Sequence, residues 1–154
     1  MAKGKQKRPP TPSTVPKLKN PPTVSGLPGS SNSAERICWR FEHVDHDGPW
    51  GFREVSAEQL CHILEKLRDF EKMTVNELFR RGGEPGKSYE ISGLPTREAR
   101  ERLDALRLAD QTQISRLRLT GERRLYGFLD DENVFHVVFW DPEHEIWPSR
   151  KKHT

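Results

Sequence analysis

The sequence predicts an α+β domain, in which an N-terminal strand and a C-terminal three-stranded meander form an antiparallel sheet with helices packed on one of its faces. Three observations predict it. Ile37, Trp39 and Phe41 alternate with Cys38, Arg40 and Glu42. Two capping boxes, Ser56 to Gln59 and Thr74 to Glu77, open apolar runs at helical spacing. The stretch from Gln113 to Trp140 divides at two short turns into three strand-like segments.

At 154 residues the chain has room for one domain and a tail. Residues 1–34 hold Lys3, Lys5, Lys7, Arg8, Lys17 and Lys19, no acidic residue and seven of the twelve prolines, which reads as a disordered basic tail. Those six cations exceed the formal net charge of +3, so the remainder is acidic on balance and any argument for nucleic acid must rest on a local patch. The tail itself reads either as a solubilising linker or as a salt-sensitive tether to nucleic-acid phosphates. It lacks the apolar core of a secretory signal, its prolines oppose an amphipathic transit helix, and no run approaches the roughly 20 apolar residues of a membrane span. A cytoplasmic protein without a membrane partner is expected.

The single domain is expected over 35–150, with residues 151–154 as a basic end. After the first strand, Asp47-Gly48-Pro49 turns the chain. His43, Asp45, His46 and Asp47 are ligand types, but in a turn-rich loop they lack a fixed set, and Asp141-Pro142 reads as a turn rather than as part of a set with His144 and His153. No metal or other cofactor is expected. Leu60, Ile63, Leu64 and Leu67 predict a helix from about Ala57 to Phe70, and Val75, Leu78 and Phe79 a short second one ending at Gly82-Gly83. Cys38 and Cys61 have neither CxxC spacing nor partners and read as buried thiols; the His62 next to Cys61 points elsewhere on a helix. Residues 84–94 read as a loop. Pro95 and Thr96 open a third helix with Ala99, Leu103 and Leu106 on one side.

Within the meander, a three-residue turn at Thr120-Gly121-Glu122 pairs Leu119 with Arg123, Arg118 with Arg124 and Arg116 with Tyr126. A turn at Asp131-Glu132-Asn133 pairs Phe128 with His136, Tyr126 with Val138 and Arg124 with Trp140. One face then collects Leu117, Leu119, Leu125, Gly127, Leu129, Phe135, Val137 and Phe139, expected to lie under the helices carrying Leu64 and Leu103. The other collects Arg116, Arg118, Arg124, Tyr126, Phe128, His136, Val138 and Trp140 and is left for a partner. Ile146 and Trp147 are expected to return as a short edge strand before Pro148. Arg118 opposite Arg124 is unfavourable by roughly 0.2–1 kcal/mol unless a carboxylate or an external anion lies between them.

The segment Arg116-Leu-Arg-Leu-Thr-Gly-Glu-Arg-Arg-Leu-Tyr-Gly-Phe128, preceded by a helix and followed by an apolar strand, resembles the basic hairpin of the RelE/ParE-type toxin superfamily over roughly residues 96–147. The chain also resembles a group of bacterial proteins of unassigned activity that share Trp140-Asp-Pro-Glu-His144 and the Lys-Lys-His-Thr154 ending. The toxin resemblance implies metal-independent RNA cleavage by attack of a ribose 2′-hydroxyl on the adjacent phosphate, with the ribosome or free RNA as target and a cognate antitoxin as protein partner. It implies Arg116 and Arg124 as phosphate-holding catalytic residues, Tyr126 as a nucleotide-positioning one, and His136 or His144 for proton transfer. Arg118, Arg123, Lys151 and Lys152 are the expected nucleic-acid-binding cations. Two readings stand: a toxin-like endoribonuclease, and a non-catalytic module whose Arg and aromatic face binds nucleic acid or protein.

Overall fold

Reciprocal caps start the first two helices where the sequence puts them. In α1 (Ala57–Phe70) the Ser56 hydroxyl accepts from Gln59 N at 3.1 Å, while the Gln59 side chain accepts from Ser56 N at 3.0 Å. Thr74 and Glu77 repeat the arrangement at α2 (Val75–Leu78). A third helix, α3, spans Arg97–Ala105. These elements belong to a computed structural model that describes residues 35–79 and 83–149. The tail expected over 1–34 and the basic end with Lys151 and Lys152 lie outside the described residues.

The protein is α+β. Its five strands, β1 (Cys38–Arg40), β2 (Gly86–Glu90), β3 (Gln113–Arg118), β4 (Arg124–Leu129) and β5 (Val134–Asp141), form one sheet in the order β1-β5-β4-β3-β2. Pairing is antiparallel except that β1 runs parallel to β5, a correction to the all-antiparallel expectation. The long crossover through the helices lets β1 and β5 share a direction, which a hairpin could not. Beyond Arg40 the following loop covers the free edge of β5: Asp45 N donates to Val138 O at 2.9 Å and Trp140 N to Trp50 O at 2.8 Å.

Residues 86–90 are strand, not loop. They pair with β3 from Gly86 opposite Leu117 to Glu90 opposite Gln113. Ile146 and Trp147 form no edge strand: Ile146 is buried where Thr96 Oγ1 donates to its carbonyl at 2.7 Å, tying the segment to the start of α3.

The first hairpin has the expected register, with Arg118 opposite Arg124, Leu117 opposite Leu125 and Arg116 opposite Tyr126. The second begins as expected, with Phe128 opposite His136, and then slips at a bulge between Tyr126 and Gly127, so that Tyr126 faces Phe139 and Arg124 faces Asp141. Gly127 permits the bulge, because a Cβ there would overlap the His136 carbonyl and the Phe135 ring. The extra residue exchanges Phe139 and Trp140 between the faces. Trp140 packs with Leu117, Leu125, Phe135 and Val137 against Ile63, Leu67 and Leu78, whereas Phe139 packs with Ile114, Tyr126, Phe128 and Val138 against Ala99 and Leu103.

Helices therefore cover both faces, α1 and α2 on one and α3 on the other, which corrects the one-face arrangement. Leu64 is exposed rather than in the core, and Leu103 lies on the opposite side from Leu117. Cys61 is exposed and Cys38 half-buried, so neither is the fully buried thiol expected.

An ion pair anchors α3 to the β5 edge. Asp45, 1% exposed, accepts from Arg102 Nε at 2.7 Å and Nη2 at 2.6 Å. Burial opposes the charge on Asp45, but the Arg102 guanidinium and the Gly48 and Asp47 amides outweigh it and hold the carboxyl below its ordinary range.

Candidate functional site

α3 covers only part of its face. The Arg116, Arg118 and Arg124 end stays open and forms the floor of a cavity of about 400 Å³, whose lining also includes Lys87 and Tyr89 of β2, Glu84, and His144 and Trp147 of the segment after β5. That segment is shaped by Asp141: its carboxylate accepts from Glu145 N and Ile146 N, both at 2.9 Å, and places His144 at a φ of 58° in the turn.

The arginines differ in burial. Arg116 is 7% and Arg124 6% exposed, while Arg118 is exposed at the rim. Glu84 lies 3.3 Å from Arg116 and 3.7 Å from Arg118 and is itself about half exposed. Arg116 also donates to Gly83 O at 3.2 Å and to the Tyr89 hydroxyl at 3.4 Å. Among the described residues Arg124 makes no ion pair. Its Nη1 donates to the carbonyls of Gly121 and Arg123, and its buried Nε has no hydrogen-bond partner among the described residues. Burial together with the charges of Arg116 and Arg118 lowers its pKa from the guanidinium's ordinary value; an arginine nevertheless stays protonated near neutrality. The cavity lining thus holds three guanidiniums and the Lys87 ammonium with one carboxylate, Glu84.

An aromatic pair borders the cavity. Tyr89 and Trp147 stack with ring centroids 4.1 Å apart, and Lys87 Nζ sits 5.1 Å from the Tyr89 ring centre. His144 is half-buried, and burial followed by the Arg124 charge lowers its pKa, which favours the neutral imidazole.

The expected site residues divide accordingly. Arg116, Arg118, Arg124 and His144 come together. Tyr126 does not join them as a stacking residue: it is 0% exposed beneath the sheet face, its hydroxyl has no hydrogen-bond partner among the described residues, and burial drives its pKa well up. His136 is elsewhere, its Nε2 2.8 Å from Asp130 Oδ2, five residues and about 16 Å of strand before the Asp141 that faces Arg124. Arg123 projects to the α1 side, with Nη1 3.5 Å from His62 Nδ1. Glu84, Lys87, Tyr89 and Trp147 were not expected here. The alternation of Lys87 and Tyr89 in one strand would have revealed two of them, had 86–90 been read as strand.

Among the described residues no group of three or more His, Cys, Asp or Glu is placed to hold a metal ion, and no helix is long and apolar enough to cross a membrane. Comparison with protein-family models, curated proteins and solved structures finds no match to this chain.

Proposed function

We propose that the protein binds RNA by seating a phosphate among Arg116, Arg118 and Arg124, and that it acts as a non-catalytic nucleic-acid-binding module. The observation that carries this reading is the excess of cations: Glu84 is the one carboxylate lining a cavity with three guanidiniums and Lys87, and Arg124 is buried with no ion pair among the described residues. Guanidinium forks match phosphate oxygens, and their bonds to an ionised acceptor are roughly twice as strong as neutral ones. The Tyr89–Trp147 pair adds the aromatic surface on which bases stack. The experiment is an RNA titration of the protein, of Arg118→Ala, and of a variant with one tail lysine neutralised as a charge control. Arg118→Ala should weaken binding much more than the tail change. Equal weakening would mean that binding is general electrostatics and would sink the site.

A second reading, the toxin-like endoribonuclease, is favoured by one observation, the position of His144 in the lining of the same cavity, where burial and the Arg124 charge favour its neutral form. In it His144 takes the proton from the 2′-hydroxyl, whose oxygen bonds to phosphorus as the bond to the 5′-oxygen breaks and that oxygen takes a proton from water, while the arginines bear the charge that develops on the phosphate. With Tyr126 and His136 outside the cavity, no second proton-transfer residue accompanies it in the expected set. RNA cleavage, or growth arrest on induced expression, that is lost in His144→Ala while RNA affinity persists would favour this reading over the module.

A further inference from the structure

The arginine cavity differs from an open backbone-tracking groove in how its charge is placed. Arg116 and Arg124 are more than nine-tenths buried, so an anion must project past the lining side chains to meet them. A phosphate inside a strand carries an ester arm on each side and has two free oxygens. A phosphate at a strand end carries one arm and presents three oxygens ahead of it.

Charge favours the end as well. Three arginines and Lys87 against Glu84 leave an excess of three positive charges. One internal phosphodiester supplies a single negative charge, whereas a phosphomonoester carries about 1.5 to 2 near pH 7. The volume, about 400 Å³, falls at the small-ligand end of the roughly 300–1,000 Å³ range of binding clefts, enough for one nucleotide rather than a length of strand. The stacked Tyr89 and Trp147 lie beside the cations, where the base of that nucleotide would rest.

We propose that the cavity takes the terminal phosphomonoester of an RNA strand, with three phosphate oxygens toward Arg116, Arg118 and Arg124 and the terminal base on the outer face of the Tyr89–Trp147 stack. This rests on the phosphate-binding reading above and narrows it to one substrate class.

The test is a fluorescence-anisotropy titration of the full chain with one short RNA sequence in three forms, 5′-phosphorylated, 3′-phosphorylated, and hydroxyl at both ends. Inorganic phosphate, a nucleoside monophosphate and a phosphotyrosyl peptide serve as competitors. One phosphorylated form should bind at least ~10-fold more tightly than the hydroxyl form. That advantage should fall to a few-fold or less in Arg118→Ala, whose exposed side chain leaves the fold intact, and the mononucleotide should compete better than inorganic phosphate. Equal binding of all three forms, still dependent on Arg118, would overturn the strand-end assignment while leaving phosphate binding in place. Binding of all forms that ignores Arg118 would overturn both. Stronger competition by the phosphopeptide than by the mononucleotide would reassign the cavity to a phosphoprotein partner, and competition by inorganic phosphate equal to the mononucleotide's would remove the role of the aromatic pair; either result overturns the proposal as stated.

Discussion

Arg118 and Arg124 stand directly opposite each other on β3 and β4, and both donate to the carbonyl of Gly121, at 3.2 and 2.6 Å. One neutral acceptor at the hairpin turn thus serves two cations, and of the two only Arg118 has a carboxylate within ion-pair distance, Glu84 at 3.7 Å. The arrangement is unfavourable for an isolated sheet and favourable for one that receives an anion.

Removing one charge should therefore separate stability from binding. Like charges facing across a sheet cost roughly 0.2–1 kcal/mol. Arg118→Ala is expected to leave the unliganded protein unchanged or more stable by a few tenths of that scale in thermal unfolding, while RNA affinity falls. A clear loss of unliganded stability would show that the arginine acts as a structural strut.

Gly127→Ala should disrupt the bulge, since the added methyl meets backbone at His136 and an aromatic ring at Phe135. Overpacking of this kind costs about 1–3 kcal/mol. Phe139→Ala should cost about 3–5 kcal/mol, because the ring is fully buried, now against α3 rather than α1. Denaturant midpoints of the two variants check both values.

The Asp45–Arg102 pair gives an acid limb to stability. The folded Asp45 carboxyl is held below its ordinary value of 3.8, so its contribution is present above that pH and is lost as pH falls through the lowered folded value. Asp141 acts in the opposite sense. Burial raises its carboxyl against the pull of the Glu145 and Ile146 amides, so its contribution is present below 3.8 and is lost as pH rises through the raised folded value. Unfolding free energies between pH 2 and 6 should show the fall below pH 4 reduced in Asp45→Asn. Arg102→Ala, which strands the buried carboxylate, should cost about 3–5 kcal/mol at neutral pH.

Much of this was legible where local chemistry decides alone. The Ser56 and Thr74 caps fix α1 and α2, and the turn at Thr120-Gly121-Glu122 fixes the register that sets Arg118 against Arg124. What escaped depends on distant partners. Gly86-Lys-Ser-Tyr-Glu90 has no apolar face to mark it as strand, and it becomes one by pairing with β3. The unbroken apolar run through Val137, Val138, Phe139 and Trp140 is the signature of a strand covered on both sides, so a one-faced sheet was the wrong inference from it. Gly127 within a strand was the local sign of the bulge. Within the site the arginines were legible as a facing pair, whereas Tyr89 and Trp147 meet only through the pairing of β2 and the turn that Asp141 builds.

The central claim is that Arg118 and Arg124 bind one phosphate between them, and a double-mutant cycle on RNA affinity tests it most directly. The four proteins are the parent, Arg118→Ala, Arg124→Lys, which keeps the charge but loses the fork, and the double variant, each titrated at two salt concentrations. Residues acting on one group are coupled, so the double variant should lose less than the sum of the single losses, by about 0.5–3 kcal/mol, and Arg118→Ala should flatten the salt dependence by about one phosphate contact. Losses that add within about 0.5 kcal/mol, with the salt dependence unchanged, would contradict a shared phosphate.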